Sequence, residues 1–341
     1  MNLVVNGRAL GRPLSGVERY AQQMVACMQD RVRVCVAADR SPLAQLLWEQ
    51  AGLPGLLNDD DWLWSPANSG PIAVRRQLLT LHDVAPLDHP EWYRPAYVIW
   101  CAGLWRILSR RVQVILTDSN FSRSRIGARL KVPLHKIHMI PVGVDSKVFH
   151  PSGPGRFAGQ QPAREESAPY ILFVGTFQPR KNIPVLLEAW SKIHRQRLDL
   201  RLMMVGAPGR LFRNPRLKRL PPGVQIVERL SDIDLAGLYR SATLYIQPSL
   251  YEGAALTALE AQACGCPVVA ADIPAFREYL SGSAAYFRPT VPNDLAESAL
   301  DLLENPARRS SLREDGLRQA GRYSWEASAE KLWDLAVGLS A

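Results

Sequence analysis

The sequence predicts an α/β protein of two doubly wound, Rossmann-like parallel-sheet domains facing a central cleft. Short apolar runs alternate with amphipathic segments of helical period along both halves of the chain. Its 341 residues suit two domains of ordinary size. Between the halves the stretch PSGPGRFAGQQPAREESAP, residues 151–169, is rich in Pro, Gly, Ser and charge and breaks the rhythm. Residues 1–155 and 156–324 are therefore the expected domains, with a helix over about 325–341 returning to the first.

Each element follows from its own pattern. In the first half, residues 2–5, 32–37, 78–81 and 114–116 are apolar runs of strand length, and 16–29 and 96–108 carry helical periodicity. In the second half, strands are expected at 170–174, 201–205, 224–227, 244–247 and 267–271. Helices are expected at 183–193, 232–241, 256–264, 274–280 and 292–303. Strands that alternate with helices pair in parallel, because each return to the same sheet edge needs a crossover.

Composition narrows the function classes. Apolar residues make up 47% and charged residues 21%, so neither a disordered chain nor a polytopic membrane protein fits. No apolar stretch is long enough to span a bilayer and no secretory leader opens the chain, which predicts a cytoplasmic protein. The five cysteines, at 27, 35, 101, 264 and 266, lack a repeated metal-ligand spacing. The net charge of +9 is uneven: residues 1–160 hold 19 basic and 12 acidic side chains. A basic first half suits an anionic partner, either nucleic acid or a membrane with acidic lipids, and ordinary solvation is the alternative. No recognised nucleic-acid module and no G-x-G-x-x-G after the first strand are present, which counts against a nucleic-acid-binding protein and a dinucleotide dehydrogenase.

Ligands of open parallel sheets bind beyond the carboxyl ends of the strands. After the strand at 170–174 come Gly175, Thr176, Phe177, Gln178, Pro179, Arg180, Lys181 and Asn182, then a helix. A glycine for close backbone approach, two adjacent cations and a helix N-terminus suit a diphosphate; a solvated basic turn is the other reading. After the strand at 244–247, Glu252 falls in a loop and Glu260 eight residues on, about two helical turns later, so both carboxylates can face one pocket. Small residues and unbonded helix-start amides lie between them, suited to hydroxyls and phosphate oxygens. A partly buried helical glutamate is the alternative reading of Glu260.

Glu252, seven residues, then Glu260 followed by AQACGCPVV resembles the E-x7-E signature of family 4 retaining glycosyltransferases, which have the GT-B fold. Supporting pieces are Gly16-Val-Glu-Arg-Tyr20, Leu81-His82-Asp83, Thr117-Asp118-Ser119-Asn120-Phe121-Ser122, Ile140-Pro141-Val142-Gly143-Val144-Asp145 and Ser231-Asp232-Ile233-Asp234-Leu235. The resemblance covers nearly the whole chain and implies an enzyme that binds a nucleotide-sugar donor mainly through its second domain and an acceptor through its first. It implies that Glu260 binds the ribose and Glu252 the donor sugar. Gly175, Gly253, Ala254, Ala255, Leu256 and Thr257 would line the sugar and phosphates, and the segment around Leu230 the base. Arg180 and Lys181 would neutralise the departing diphosphate, so no metal or other cofactor is expected. His82 matches the histidine beside the donor sugar and Gly16 the glycine-rich loop near the phosphates.

The donor tilts toward GDP-mannose because the His82 and Arg180-Lys181-Asn182 segments resemble mannosyltransferase-like members. The expected reaction moves a hexose to a lipid-linked or oligosaccharide acceptor in bacterial polysaccharide synthesis. A UDP-sugar enzyme of the same fold and a noncatalytic sugar-nucleotide-binding protein are the alternatives. The sequence departs from the family pattern at Ala254, Ala255 and Thr176, which bears on sugar specificity. Residues 92–111, WYRPAYVIWCAGLWRILSRR, combine five aromatics with four arginines and predict an anionic membrane surface as partner at the inner face of the cell membrane; core packing accounts equally for the aromatics. Asp59-Asp60-Asp61 is read as a solvated turn, and the basic run 210–219 as a solvated loop.

Overall fold

The structure, a computed structural model, describes residues 2–10, 15–39, 41–154, 168–208, 212, 219–228 and 230–339. The chain forms two compact units, 1–143 with 323–341, and 144–322. The unit boundary thus falls ahead of the stretch 151–169, most of which (155–167) lies outside the described residues.

The first unit contains β1 (Asn2–Asn6), α1 (Gly16–Cys27), β2 (Val32–Cys35), α2 (Pro42–Leu47), β3 (Asp61–Ser65), β4 (Gln77–Thr80), α3 (Ala85–Asp88), α4 (Pro95–Arg111), β5 (Val114–Thr117), α5 (Asn120–Leu130) and β6 (Ile137–Met139). The second contains β7 (Tyr170–Val174), α6 (Ile183–Gln196), β8 (Arg201–Val205), β9 (Val224–Val227), α7 (Asp232–Ser241), β10 (Leu244–Gln247), α8 (Leu256–Ala263), β11 (Val268–Ala271), α9 (Pro274–Leu280), β12 (Ala285–Phe287), α10 (Pro292–Glu304) and α11 (Pro306–Ala320). The last helix, α12 (Trp325–Gly338), belongs to the first unit.

Both sheets are six-stranded, and every strand pair registered in them is parallel. The first runs β2-β1-β3-β4-β5-β6 and the second β12-β11-β10-β7-β8-β9. In each, the winding reverses once: between β1 and β3, and between β7 and β10. Loops diverge at such a point and leave a crevice at the carboxyl ends. The central strands β4, β5, β7, β10 and β11 are buried along their whole length, as sheets covered on both faces require.

Several of the short motifs are local punctuation. Ser119, Ser231 and Ser324 are N-caps whose hydroxyls accept the amides of Ser122, Asp234 and Ala327 at 3.1 Å. Each such cap contributes about 1 kcal/mol. Tyr20 is wholly buried, its ring set edge-on to Trp64 and Trp325, so α1 and α12 share one aromatic core with β3. Gly143 leaves the first unit against the incoming chain. A Cβ there would lie 2.2 Å from the Trp325 amide nitrogen, so only glycine fits.

The triple aspartate differs from its expected solvated turn. Asp59 and Asp60 are exposed, but Asp61 opens β3, is buried, and accepts from Arg33 Nη2 at 2.6 Å and the Asn58 amide at 2.9 Å. Pairing of β3 with β1, in which Asp61 sits opposite Asn2, makes it the first residue of an interior strand. Arg210 and its neighbours at 209–211 and 213–218 lie outside the described residues.

Candidate active site

The second unit's crevice is made by the loops after β7 and β10. Past Gly175 the chain turns through a short 3₁₀ segment, Pro179–Lys181, into Asn182, whose φ of 54° is left-handed. Asparagine tolerates that region better than most residues. Its side-chain amide donates to the carbonyls of Pro248 at 3.1 Å and Pro289 at 2.7 Å. The Leu250 amide donates to the Arg180 carbonyl at 2.8 Å. Three post-strand loops, after β7, β10 and β12, are thereby clasped together.

That clasp sets a charged triad. Glu252 Oε2 lies 2.8 Å from Arg180 Nη1 and Oε1 lies 2.6 Å from Lys181 Nζ, all three side chains being at least four-fifths buried. Burial pushes the Glu252 carboxyl up, but the charges of Arg180 and then Lys181 outweigh it and hold the group below the usual glutamate value. The carboxylate is therefore ionised at neutral pH. Gly175 gives the lysine room, since a Cβ there would approach Lys181 Cε at 3.2 Å. Beneath it Gly206, with φ of 149°, lets β8 approach: a Cβ would stand 2.0 Å from the Gly175 carbonyl oxygen.

Gly253 is buried, Ala254 half-buried and Ala255 buried as the N-cap of α8, with no side chain to bond the first-turn amides of Leu256, Thr257 and Ala258. The Thr257 hydroxyl is held in a buried triangle with Tyr245 and Gln247 at 2.8–2.9 Å. Glu260, one-fiftieth exposed, lies 3.5 Å from the Tyr239 hydroxyl. Burial chiefly, then the charges of Glu260 and Glu252, raise the Tyr245 phenol, so both carboxylates act on one buried ring. Leu230 is half-buried just before α7; its neighbour Arg229 lies outside the described residues.

In the first unit, Gly16 is the exposed first residue of α1, and residues 11–14 before it lie outside the described residues. His82, just past β4, is buried. Its Nδ1 is 2.8 Å from Asp118 Oδ2, its Nε2 3.0 Å from the Pro66 carbonyl, and its amide donates to Asn68 Oδ1 at 2.8 Å. Asn68 is also left-handed, and its carbonyl accepts from Trp105 Nε1 at 2.8 Å. Sequence reasoning missed three positioning residues. Asn182 and Asp118 stood in the sequence only as members of longer motifs, and Asn68 carried no signal at all.

Residues 157–319 match the sequence profile of the family described as "Glycosyl transferases group 1". That region belongs to the group 1 glycosyl transferases. The family resemblance read from Glu252 and Glu260 is the family found. The glycosyl transferase domain accounts for nearly the whole second unit. The O-antigen chain mannosyltransferase B of Escherichia coli is 27% identical over 261 residues, covering 75% of this chain and 68% of that protein. The D-inositol 3-phosphate glycosyltransferase of Segniliparus rotundus is 32% identical over 208 residues, covering 58% of this chain and 46% of that protein. The chain therefore spans about two thirds of the one relative's length and about half of the other's. HepE of Anabaena, solved in complex with UDP-glucose, superposes with a TM-score of 0.73 at 15% identity, covering 99% of this chain and all of that one. The fold is GT-B, with two parallel six-stranded sheets.

Proposed function

We propose that the protein transfers a hexose, with retention, from a nucleotide sugar to a lipid-linked or oligosaccharide acceptor at an anionic membrane surface. The Arg180–Lys181–Glu252 triad at the β7/β10 switch point carries this reading. Two cations held on one carboxylate, beside the open amides of α8, are a preorganised receptor for a diphosphate leaving group. Glu252 fixes the cations and faces the sugar hydroxyls, while Glu260 takes the ribose.

In this reaction the acceptor oxygen bonds to the anomeric carbon on the face the phosphate leaves. The departing phosphate oxygen takes the acceptor's proton, and Arg180 and Lys181 stabilise its charge. With two side-chain cations in that role, the reaction needs no metal. GDP-mannose is the proposed donor, supported by the mannosyltransferase relative; UDP-glucose in HepE supports a UDP-sugar as the second reading.

Thermal stability of the protein with UDP, GDP, ADP and their sugar conjugates, all in EDTA, tests the proposal. A selective rise with GDP and GDP-mannose supports it. A selective UDP shift replaces the sugar, and no shift with any nucleotide overturns the donor site.

A further inference from the structure

We infer that the outward face of α4 docks the first unit on a bilayer rich in anionic lipid. This rests on the proposed function only for its lipid-linked acceptor, and it names the surface that would bring the chain to it. The helix divides its side chains sharply. Cys101, Leu104, Trp105 and Leu108 enter a core with Leu79, Leu81, Ile115 and Ile126, so these apolar residues are accounted for by packing. Ile99, Trp100 and Ile107 are not: they are 73%, 43% and 45% exposed. At 3.6 residues per turn, these three and the exposed Gly103 share about a third of the helix circumference, with Arg106 and Arg110 along one margin and Arg111 at the other.

The charge around this stripe is of one sign. Elsewhere several exposed arginines sit on carboxylates, Arg277 on Asp272, Arg288 on Asp294, Arg308 on Asp301 and Arg318 on Asp315, whereas exposed Arg75, Arg195, Arg313 and Arg322 do not. Among the described residues, no carboxylate lies within ion-pair reach of Arg94, Arg106 or Arg110, and 95–111 contains no acidic residue. Glu91, next to His89, is the nearest carboxylate along the chain.

A convex apolar stripe with a tryptophan, edged by unneutralised arginines, matches the bilayer interface: the apolar side chains enter the acyl boundary while guanidinium groups remain with phosphate headgroups. No helix among the described residues is long and apolar enough to cross a membrane, so contact through this face would be peripheral.

Cosedimentation of the full chain with vesicles, without donor or acceptor, tests the surface independently of catalysis. Wild type should bind vesicles of phosphatidylcholine mixed with phosphatidylglycerol, bind phosphatidylcholine alone far more weakly, and dissociate at high salt. Removing two interfacial arginines in R106Q/R110Q should weaken binding about 30-fold, and I99S/W100S should weaken it about 10-fold. All four positions are exposed, and unchanged melting and nucleotide-induced shifts will establish that the variants keep their fold and donor site. Equal binding to both vesicle types, or variants that bind as wild type does, overturns the inference. So does a wild-type dimer that I99S/W100S dissociates, because the stripe would then belong to a second copy.

Discussion

Asp118 Oδ2 and His82 Nδ1 are 2.8 Å apart in a buried setting, while the Pro66 carbonyl, which can only accept, holds the other ring nitrogen. A carboxylate and a carbonyl on opposite sides of an imidazole are satisfied together only when both nitrogens carry hydrogen. Burial pushes His82 down, but the charge of Asp118 and its hydrogen bond, then Pro66 and Asp83, overcome this and place it above the ordinary value. The Tyr20 ring stands edge-on at 4.8 Å and, through its own burial, stays protonated.

His82 is thus expected to act as a fixed cation rather than a proton acceptor. Its raised value stabilises the fold fully below about pH 6.5, the unfolded value, and the contribution is lost as pH rises through the folded one. Asp118→Asn should lower the His82 titration measured by NMR and flatten the fall in denaturation free energy over that window. An unchanged titration in the variant would show that Asp118 does not hold the charge.

Glu252 sits between two cations that a diphosphate would also engage. Glu252→Gln should therefore separate affinity from turnover: nucleoside diphosphate binding holds or tightens, while transfer falls at least about 100-fold. Stability drops by about 2 kcal/mol because two largely buried cations lose their carboxylate. In wild type this stabilisation is present above about pH 4.5 and is lost as pH falls through the lower folded value. Calorimetric binding of the diphosphate alongside initial rates separates the two effects. Binding and transfer that fall together would remove the carboxylate's positioning role.

Asn182 joins two requirements, a left-handed backbone and two hydrogen bonds to loop carbonyls. Asn182→Gly keeps the first and removes the second, so it should cost about 1–2 kcal/mol; Asn182→Ala loses both and should cost about 1 kcal/mol more. Each should raise the donor KM more than it lowers kcat, since the loops bearing Arg180 and Glu252 lose their tether. Denaturation midpoints and donor titrations read both effects, and equal costs in the two variants would remove the backbone part of the argument.

Period and position made the second unit legible. Tyr170–Val174, Arg201–Val205, Val224–Val227, Asp232–Ser241, Leu244–Gln247 and Pro274–Leu280 coincide with their expected bounds, because short buried strands and capped helices are written in adjacent residues. What stayed hidden depends on pairing across the chain. β3 was lost because DWLWS follows two aspartates and itself begins with a third, and only its seat beside β1 makes it a strand. β6 and β12, three residues each, are too short for a periodic signal. Glu252, Arg180 and Lys181 were singled out by residue type and position after a strand, but their union in one triad is a tertiary fact. The aromatic stretch at 92–111 divides between readings: Tyr93 and Trp105 are core, and Trp100 is surface.

Gly206 ends β8 without touching any charged group of the site, yet its Cα lies where the β7 loop must pass. A methyl group at this position would meet the Gly175 carbonyl oxygen at 2.0 Å and the Gly175 carbonyl carbon at 2.9 Å, both backbone atoms that cannot rotate aside. The φ of 149° adds strain for any residue with a Cβ. Gly206→Ala should therefore destabilise the second unit by about 3 kcal/mol and push the 175–181 loop out of register with the loop bearing Glu252. Gly282→Ala, in the same unit, is the control, because a Cβ there meets nothing within 4 Å. Thermal melts of the two variants, with and without nucleoside diphosphate, should show a lowered midpoint and a diminished ligand shift for Gly206→Ala, and a near wild-type midpoint for Gly282→Ala. A Gly206→Ala protein that melts and binds as wild type does would mean that the two loops have room to part without cost to the site.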